Sequence, residues 1–276
     1  MSRVRVLCLV AGLVVGSMGE ADSPRSQKAI MARAGQFVIR YAEELPQLVA
    51  TESSVQDLTP QPGHATVVVA QRRLVAEFAW VGLPGEVEPI GFREVIEVDG
   101  RPVGPDRRRL VDLLHGPGRA TWSQARAVLE EGARHNLAPG SRNFNLPTVA
   151  AFFLHPERQK RFSWKRRSEA GAPTCELEYR ERDRPTLIRH TDGRSIFSRG
   201  RVWIDAASGA ILRTDLVLEL DTFAYGLTTR FERVAAMDLV LPAQLAERYT
   251  TPEEVVTGSA TYTNYRRFQT GARLIP

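Results

Sequence analysis

The chain has 276 residues, of which 43% are hydrophobic and 8% aromatic, a composition typical of a globular protein and not of a disordered one. Its formal net charge is +5, and arginine supplies nearly all of the positive charge, since the only lysines are Lys28, Lys160 and Lys165. The two cysteines are Cys8 and Cys175, and Cys8 lies in an N-terminal segment that we expect to be removed. Composition therefore excludes a small disulfide-stabilised scaffold.

The N-terminal segment, residues 1–21, has the pattern of a secretory signal peptide. Two arginines precede an apolar run over residues 6–18, and small residues follow it. Cleavage before Glu20 and cleavage before Asp22 both fit this pattern, and an uncleaved membrane anchor is a third alternative. We expect a periplasmic or secreted protein in which residues 22–276 form a single domain, with no transmembrane segment after cleavage.

The next part of the chain passes from a helical pattern to strand-like patterns. Residues 26–45 repeat apolar side chains at three- and four-residue spacing, which predicts an amphipathic helix that a proline ends. Residues 65–83 and 92–98 alternate in the manner of strands. The Asp99-Gly100 pair that follows predicts a hairpin turn.

The middle of the chain predicts a central block of three helices, over residues 105–114, 121–136 and 147–154. The first opens near a proline and closes at a glycine, and the second begins with the spacing of a capping box. The third is apolar almost all round, which predicts burial on more than one side.

From residue 161 onward the pattern is mostly that of strands separated by turns. The predicted strands cover residues 161–168, 174–182, 186–190, 200–205, 210–220, 227–234, 241–250 and 256–268, with turns at Gly171, Asp192-Gly193, Ser208-Gly209 and Gly226. Such regular spacing favours one antiparallel sheet, curved or closed, over parallel βαβ units. The predicted fold class is therefore α+β, with the helices packed on the sheet.

Residues 201–213 read Arg-Val-Trp-Ile-Asp-Ala-Ala-Ser-Gly-Ala-Ile-Leu-Arg, a hairpin in which Asp205 and Ser208 can accept backbone N–H groups and Gly209 supplies positive φ. This hairpin resembles that of periplasmic proteins with the lipoprotein-carrier half-barrel fold. Residues 258–268 resemble the last strand of uncharacterised secreted bacterial proteins with the same helix-then-strands layout. The resemblance implies a curved half-barrel, covered on one face by the N-terminal helix and the central helical block. It also implies an apolar concave face that can hold acyl chains.

Motifs for catalysis, metals and cofactors are missing from the sequence. The five histidines include no pair at metal-ligand spacing, and there is no Cys-x-x-Cys, no Gly-x-Ser-x-Gly and no phosphate-binding fingerprint. We therefore predict no metal, no cofactor and no catalytic residues, and a protein that is not an enzyme. A hydrolase whose catalytic groups converge from distant segments is the least favoured alternative.

The most basic stretch lies at residues 158–167. Its cations are Arg158, Lys160, Arg161, Lys165, Arg166 and Arg167. Because Phe162 and Trp164 share one face of a predicted strand, two interpretations stay open. The stretch is either a surface for an anionic envelope partner, or a strand with an apolar inner pair and a solvated outer face. Secretion makes nucleic acid an unsuitable partner.

The leading functional prediction is an envelope protein that binds a lipid or an acyl chain in the concavity between sheet and helices. The predicted lining residues are Trp80, Phe152, Phe153, Leu154 and Trp203, although a packed core would account for them equally well. The alternative is a structural or interaction protein with a filled core that acts through the basic surface. A carrier should leave a continuous apolar cavity and a packing protein should leave none.

Overall fold

The computed structural model describes residues 25–61, 68–82, 85–103, 129–137, 146–190, 192–269 and 273–274. The predicted signal peptide, the helix predicted over residues 105–114 and much of the helix predicted over residues 121–136 lie outside these ranges. The described part is α+β, as predicted, with one long helix, α1 (Gln27–Glu44), on a large antiparallel sheet. No helix in the described part is long and apolar enough to cross a membrane.

The strands in the described ranges number fourteen. They are β1 (Leu48–Pro60), β2 (Ala70–Val81), β3 (Ile90–Val98), β4 (Arg101–Pro102), β5 (Phe162–Arg166), β6 (Thr174–Glu181), β7 (Ile188–Arg189), β8 (Ser195–Ile196), β9 (Ser198–Asp205), β10 (Ile211–Leu220), β11 (Phe223–Val234), β12 (Leu239–Thr250), β13 (Glu254–Gln269) and β14 (Arg273–Leu274). Short helical turns occupy Leu45–Gln47, Ala151–Leu154 and Pro156–Gln159.

Helix α1 has the apolar period that its sequence predicts, and the structure adds a side-chain cap at Ser26. The Ser26 side chain accepts a hydrogen bond from the Ala29 N–H at 3.2 Å, which satisfies a donor that the first turn would otherwise leave free. The buried face consists of Ile30, Met31, Ala34, Gly35, Val38 and Tyr41. The helix ends at Glu44, and Pro46 in the following 3-10 turn cannot continue it.

The strands predicted from alternation are present, but β1 and the two-residue strands β8 and β14 were not predicted, and one predicted turn is wrong. Each of the eight strands predicted after residue 161 has a counterpart, in β5–β7 and β9–β13. Strand β1 was not predicted, because its hydroxyl and charged residues hide the alternation. The turn predicted at Gly226 is wrong, since Gly226 lies inside β11 and pairs with Val217 and Arg248. The chain reverses at residues 221–222 instead.

The sheet is curved and open. Eleven of the described strands pair in the order β4-β3-β2-β1-β13-β12-β11-β10-β9-β6-β5, each with an antiparallel neighbour, and β14 adds to β13. The end strands β4 and β5 do not pair with each other in the described part, so the barrel is incomplete. Strand β1 lies between β2 and β13, so strands from early and late parts of the sequence are neighbours in the sheet.

Residues 146–154 cross the concave face between the two ends of the sheet, and we call them the crosspiece. Near one end, a side-chain atom of Leu146 lies within about 3 Å of where a Cβ on Gly91 of β3 would stand. At the other end, the Phe153 ring stacks on Phe162 of β5 with the ring centroids 4.8 Å apart. The predicted α-helix here is instead a run of turns and a 3-10 helix, because prolines bracket a stretch too short for a regular helix.

The hairpin between β9 and β10 has the predicted turn chemistry and also holds α1. Asp205 accepts hydrogen bonds from the N–H groups of Ala207 and Ser208, and Gly209 has a φ of +78°. A Cβ on Gly209 would lie 2.5 Å from the backbone carbon of Arg33 in α1, so only glycine permits this approach. The Arg33 guanidinium completes the contact by donating to the Ala206 carbonyl at 2.8 Å.

Candidate functional site

The concave face of the sheet has two chemically distinct regions. The packed end lies beneath α1 and the crosspiece and belongs to a large apolar core. The polar cluster lies on β1, β3 and β13 and consists of Glu52, Arg93 and Tyr262, three residues that are separated by up to 210 positions in sequence. Phe78 of β2 joins the two regions, because its ring contacts both Trp80, at 4.8 Å between centroids, and Tyr262, at 5.5 Å.

Four of the five predicted lining residues meet at the packed end. Trp80, Phe152, Phe153 and Leu154 are at most 1% exposed. The Trp80 indole N–H donates to the Thr148 hydroxyl at 3.3 Å, which fixes the crosspiece on β2. These side chains touch one another and the surrounding core, and none of them is open to solvent.

The fifth predicted residue, Trp203, lies on the other face of the sheet. Val202 and Ile204 on either side of it are fully buried in the core, and successive side chains of a strand point to opposite faces. The Arg213 guanidinium lies 4.5 Å from the centre of the Trp203 ring in a cation–π contact. Trp203 is therefore not part of the concave lining with the other four. The alternation of side chains along its strand already predicts that it lies on the opposite face.

The polar cluster is a buried ion pair with a tyrosine attached. Arg93 donates from both Nε and Nη2 to the two carboxylate oxygens of Glu52, the latter at 2.6 Å, and the Tyr262 hydroxyl donates to Glu52 Oε1 at 2.9 Å. The Glu52 side chain is only 1% exposed and that of Arg93 only 10%. Burial by itself would lower the pKa of Arg93, but the charge and hydrogen bonds of Glu52 raise it above its ordinary value. The Arg93 guanidinium therefore remains charged despite its burial.

A second buried carboxylate lies on the same face. The Tyr225 hydroxyl donates to Glu247 Oε2 at 3.1 Å, and the charge of Glu247 also acts to raise the pKa of Arg93. A Cβ on Gly258, the cross-strand neighbour of Glu247, would lie 2.6 Å from its carboxylate oxygen. The glycine thus leaves the space that the Glu247 side chain occupies.

Residues 129–137 cover the polar side of the concave face. Gln56 of β1 donates to the Asn136 side chain at 2.7 Å and accepts from the Leu137 N–H at 2.8 Å. A Cβ on Gly132 would lie 2.7 Å from the Arg93 carbonyl oxygen, so the helical turn that contains it sits directly on β3. This part of the central block thus covers the sheet on the predicted face.

The six predicted basic residues do not form one free surface. Arg158 pairs with Glu88 of the β2–β3 connection at 2.7 Å, and Arg167 pairs with Glu178. Arg166 donates to the Arg25 carbonyl at 2.9 Å, which holds the start of α1. Lys160, Arg161 and Lys165 are the remaining three, and Phe162 between them is buried at 2% exposure.

The groups that could support catalysis are scattered or already occupied. Among the described residues, no three His, Cys, Asp or Glu side chains come together in a way that could hold a metal ion. Cys175 is fully buried in the core, and burial raises the pKa of its thiol. Glu52 is engaged by Arg93 and Tyr262, so these contacts link β1, β3 and β13.

Sequence reasoning missed the polar cluster. The only local signal is Glu52, which shares one strand face with Ala50 and Gln56 and so occupies a position where burial is expected. Its partner Arg93 is 41 residues away and could be assigned only from the pairing of β1, β2 and β3.

Comparison with known proteins gives one solved structure. The chain is similar to a Vibrio parahaemolyticus domain described as an outer membrane lipoprotein-sorting protein, with 13% sequence identity and a TM-score of 0.39. The similarity covers 88% of this chain and 93% of that one. No protein-family model matches the chain, and no curated protein matches it.

Proposed function

We propose that this protein is a non-enzymatic protein that binds a lipid or an acyl chain against the concave face of its sheet. Its proposed location is the periplasm or the exterior of the cell. The supporting observation is the crosspiece. Five consecutive apolar residues, Ala150–Leu154, are at most 1% exposed and cross the inside of an open half-barrel without adding a strand to the sheet. They occupy the position that an apolar chain would take.

The way in which the crosspiece is attached supports exchange with a ligand. Side chains hold most of it, including the hydrogen bond from Trp80 to Thr148 and the ring contacts of Phe153. Apolar burial has no preferred direction, so an acyl chain can replace Phe152 and Leu154 against the same wall. The wall continues beyond the crosspiece through the buried Leu218, Leu227 and Leu245.

The test is native mass spectrometry with lipid extraction on the full chain purified from the periplasm of its own cell. We expect an acyl species bound at a near-stoichiometric ratio. A matched pair of variants locates it, since Ala260 is buried on the concave face and Ser259 beside it is exposed. Ala260→Leu should abolish the lipid-bound mass, and Ser259→Leu should leave it unchanged.

The alternative is an interaction protein with a filled core, and the complete burial of Trp80, Phe152, Phe153 and Leu154 favours it. In that case the purified protein has a lipid-free mass and takes up no lipid from an envelope extract. Ala260→Leu then acts only on stability, because an extra side chain in a well-packed core costs about 1–3 kcal/mol. That pair of results would overturn the lipid-binding proposal.

A further inference from the structure

The positive charge of the chain is concentrated in one segment. Residues 157–201 contain thirteen arginines and lysines against seven aspartates and glutamates, a net charge of +6, whereas the whole chain has +5. This segment forms β5, β6, the small β7–β8 hairpin and β9, at one end of the sheet order. The rest of the protein is therefore close to neutral, and the charge asymmetry has a definite position on the fold.

Within this segment, several cations are already paired and others are not. Arg194, Arg199 and Arg201 pair with Asp192, Glu219 and Glu176. In the described part of the chain, Lys160, Arg182, Arg184 and Arg189 are exposed and have no carboxylate within ion-pair distance. Three of them, Arg182, Arg184 and Arg189, lie in β7 or in the six residues before it, and Lys165 of β5 is a further exposed cation without an ion pair in the described part.

Backbone contacts bring these residues close in space. The Arg182 N–H donates to the Arg161 carbonyl at 2.9 Å, and the Arg161 guanidinium donates to the Pro185 carbonyl. Arg189 of β7 pairs with Ser195 of β8, two residues before Phe197. The Arg184 guanidinium lies 4.8 Å from the centre of the Phe197 ring. We call Lys160, Arg161, Arg182, Arg184, Arg189 and Phe197 the basic flap.

The base of the flap is rigid. The Glu181 carboxylate accepts hydrogen bonds from the N–H groups of Leu187 and Ser198, at 2.7 and 3.3 Å, and Ile196 is fully buried. Phe197 is nevertheless 38% exposed, which makes it one of the few large apolar side chains on the described surface. An exposed aromatic ring among arginines, on a base held by hydrogen bonds, is typical of an interaction surface.

We propose that the basic flap is a docking surface for an anionic lipid bilayer. Arginine pairs with phosphate through its planar fork of donors, and an aromatic ring surrounded by basic residues is suited to the headgroup region. Binding to an anionic bilayer requires basic residues and an apolar anchor, and it does not require a groove of matching shape. The basic flap provides both the basic residues and the anchor. The proposal does not depend on whether the concave face binds a ligand.

The test uses flotation of the full chain with two kinds of vesicle, pure phosphatidylcholine and an equal mixture of phosphatidylcholine and phosphatidylglycerol. Each basic residue near an anionic surface is expected to add about fivefold to the partition constant. We expect binding to the anionic vesicles alone, with strong loss in high salt. Arg184→Glu with Arg189→Glu should weaken it by at least about tenfold, and Phe197→Ser by about threefold.

The matched control variant makes an equal change in net charge on a part of the protein distant from the basic flap. Arg73 of β2 and Arg101 of β4 are exposed and lie at the opposite end of the strand order from β5 and β6, so Arg73→Glu with Arg101→Glu should weaken binding by less than about threefold. Thermal midpoints of all variants check that each is folded. Equal loss in both double variants would show a net-charge effect, and binding only to an acidic protein partner would show a different docking target. Either result would overturn the proposal.

Discussion

The packed end and the polar cluster share one face of one sheet, but different forces stabilise them. At the packed end, Phe152, Phe153 and Leu154 contribute apolar area and close packing, and no charged group is needed. In the polar cluster, Glu52 and Arg93 are both removed from water and depend on each other for compensation.

The difference predicts how each region responds to change. Truncating an apolar side chain at the packed end removes buried area and leaves a cavity, so the destabilisation scales with the volume deleted. Removing one partner from the polar cluster leaves a buried charge uncompensated, so the destabilisation is large even for a small change in volume. Substitutions that remove similar volumes should therefore lower the free energy of unfolding by different amounts in the two regions.

The largest effect is expected at Glu52. Glu52→Ala leaves the Arg93 guanidinium buried without its carboxylate, which should lower the free energy of unfolding by about 3–5 kcal/mol. Urea unfolding followed by circular dichroism measures this. Replacing both Glu52 and Arg93 by leucine should recover part of the loss, because neither charge of the pair is then left buried alone, while the buried Glu247 loses the attraction of Arg93.

The control for Glu52 is an ion pair on the opposite face of the same sheet, on neighbouring strands. Glu77 of β2 pairs with Arg266 of β13 at 2.7 Å, with side chains 35% and 26% exposed. Glu77→Ala should lower the free energy of unfolding by about 1 kcal/mol or less. Equal losses for Glu52→Ala and Glu77→Ala would show that burial does not distinguish the two pairs.

The next effect is expected at Leu154 in the crosspiece. Leu154→Ala should lower the free energy of unfolding by about 3 kcal/mol, because α1 and the sheet leave little freedom to fill the cavity. The same unfolding measurement applies, and the loss should not change with salt concentration. Leu220 at the end of β10 is only partly buried, so Leu220→Ala should lose about 1 kcal/mol. A Leu154→Ala loss no larger than that of Leu220→Ala would contradict the packed end as described.

The smallest effect is expected at the ion pair of Glu88 with Arg158, whose side chains are 16% and 14% exposed. Burial raises the pKa of Glu88 above its ordinary value of 4.5, and the Arg158 guanidinium offsets only part of this. The unfolded chain therefore releases this proton at lower pH than the folded chain. The contribution of Glu88 to stability is complete below pH ~4.5 and declines as the pH rises through the raised folded value.

Glu88→Gln tests this pH dependence, because glutamine does not titrate. In a series of urea titrations, the free energy of unfolding of the wild type, relative to that of Glu88→Gln, should decrease as the pH is raised from about 4 to about 7. The same titrations of Glu253→Gln, at an exposed glutamate, provide the matched control. A wild-type advantage that grows with pH would mean that attraction by Arg158 outweighs burial.

Much of the fold could be predicted from local pattern. The apolar period of α1 and the turn chemistry of Asp205 and Gly209 each act within a few residues, and the structure confirms them. Strand β1 could not be predicted in this way. Its polar residues are acceptable in a strand because β2 and β13 pair with it on both sides, which the local sequence does not reveal.

The candidate site could be predicted only in part. A run of apolar residues indicated that Phe152, Phe153 and Leu154 would be buried together, and they are. The face of Trp203 followed from strand alternation but conflicts with its assignment to the concave lining. The pairing of Glu52 with Arg93 depends on the register between strands, and no local pattern contains it.

The sequence by itself determined where the helix and most strands lie, because helix caps, turn residues and apolar periods are interactions between near neighbours in the chain. Only the tertiary structure decided which carboxylates pair with which arginines, which cations stay free at the basic flap, and that the crosspiece spans the open side of the sheet. These outcomes depend on strand order and register, which bring together residues as far apart as Glu52 and Tyr262. Burial then makes their pairing obligatory, since a charge removed from water must have a partner.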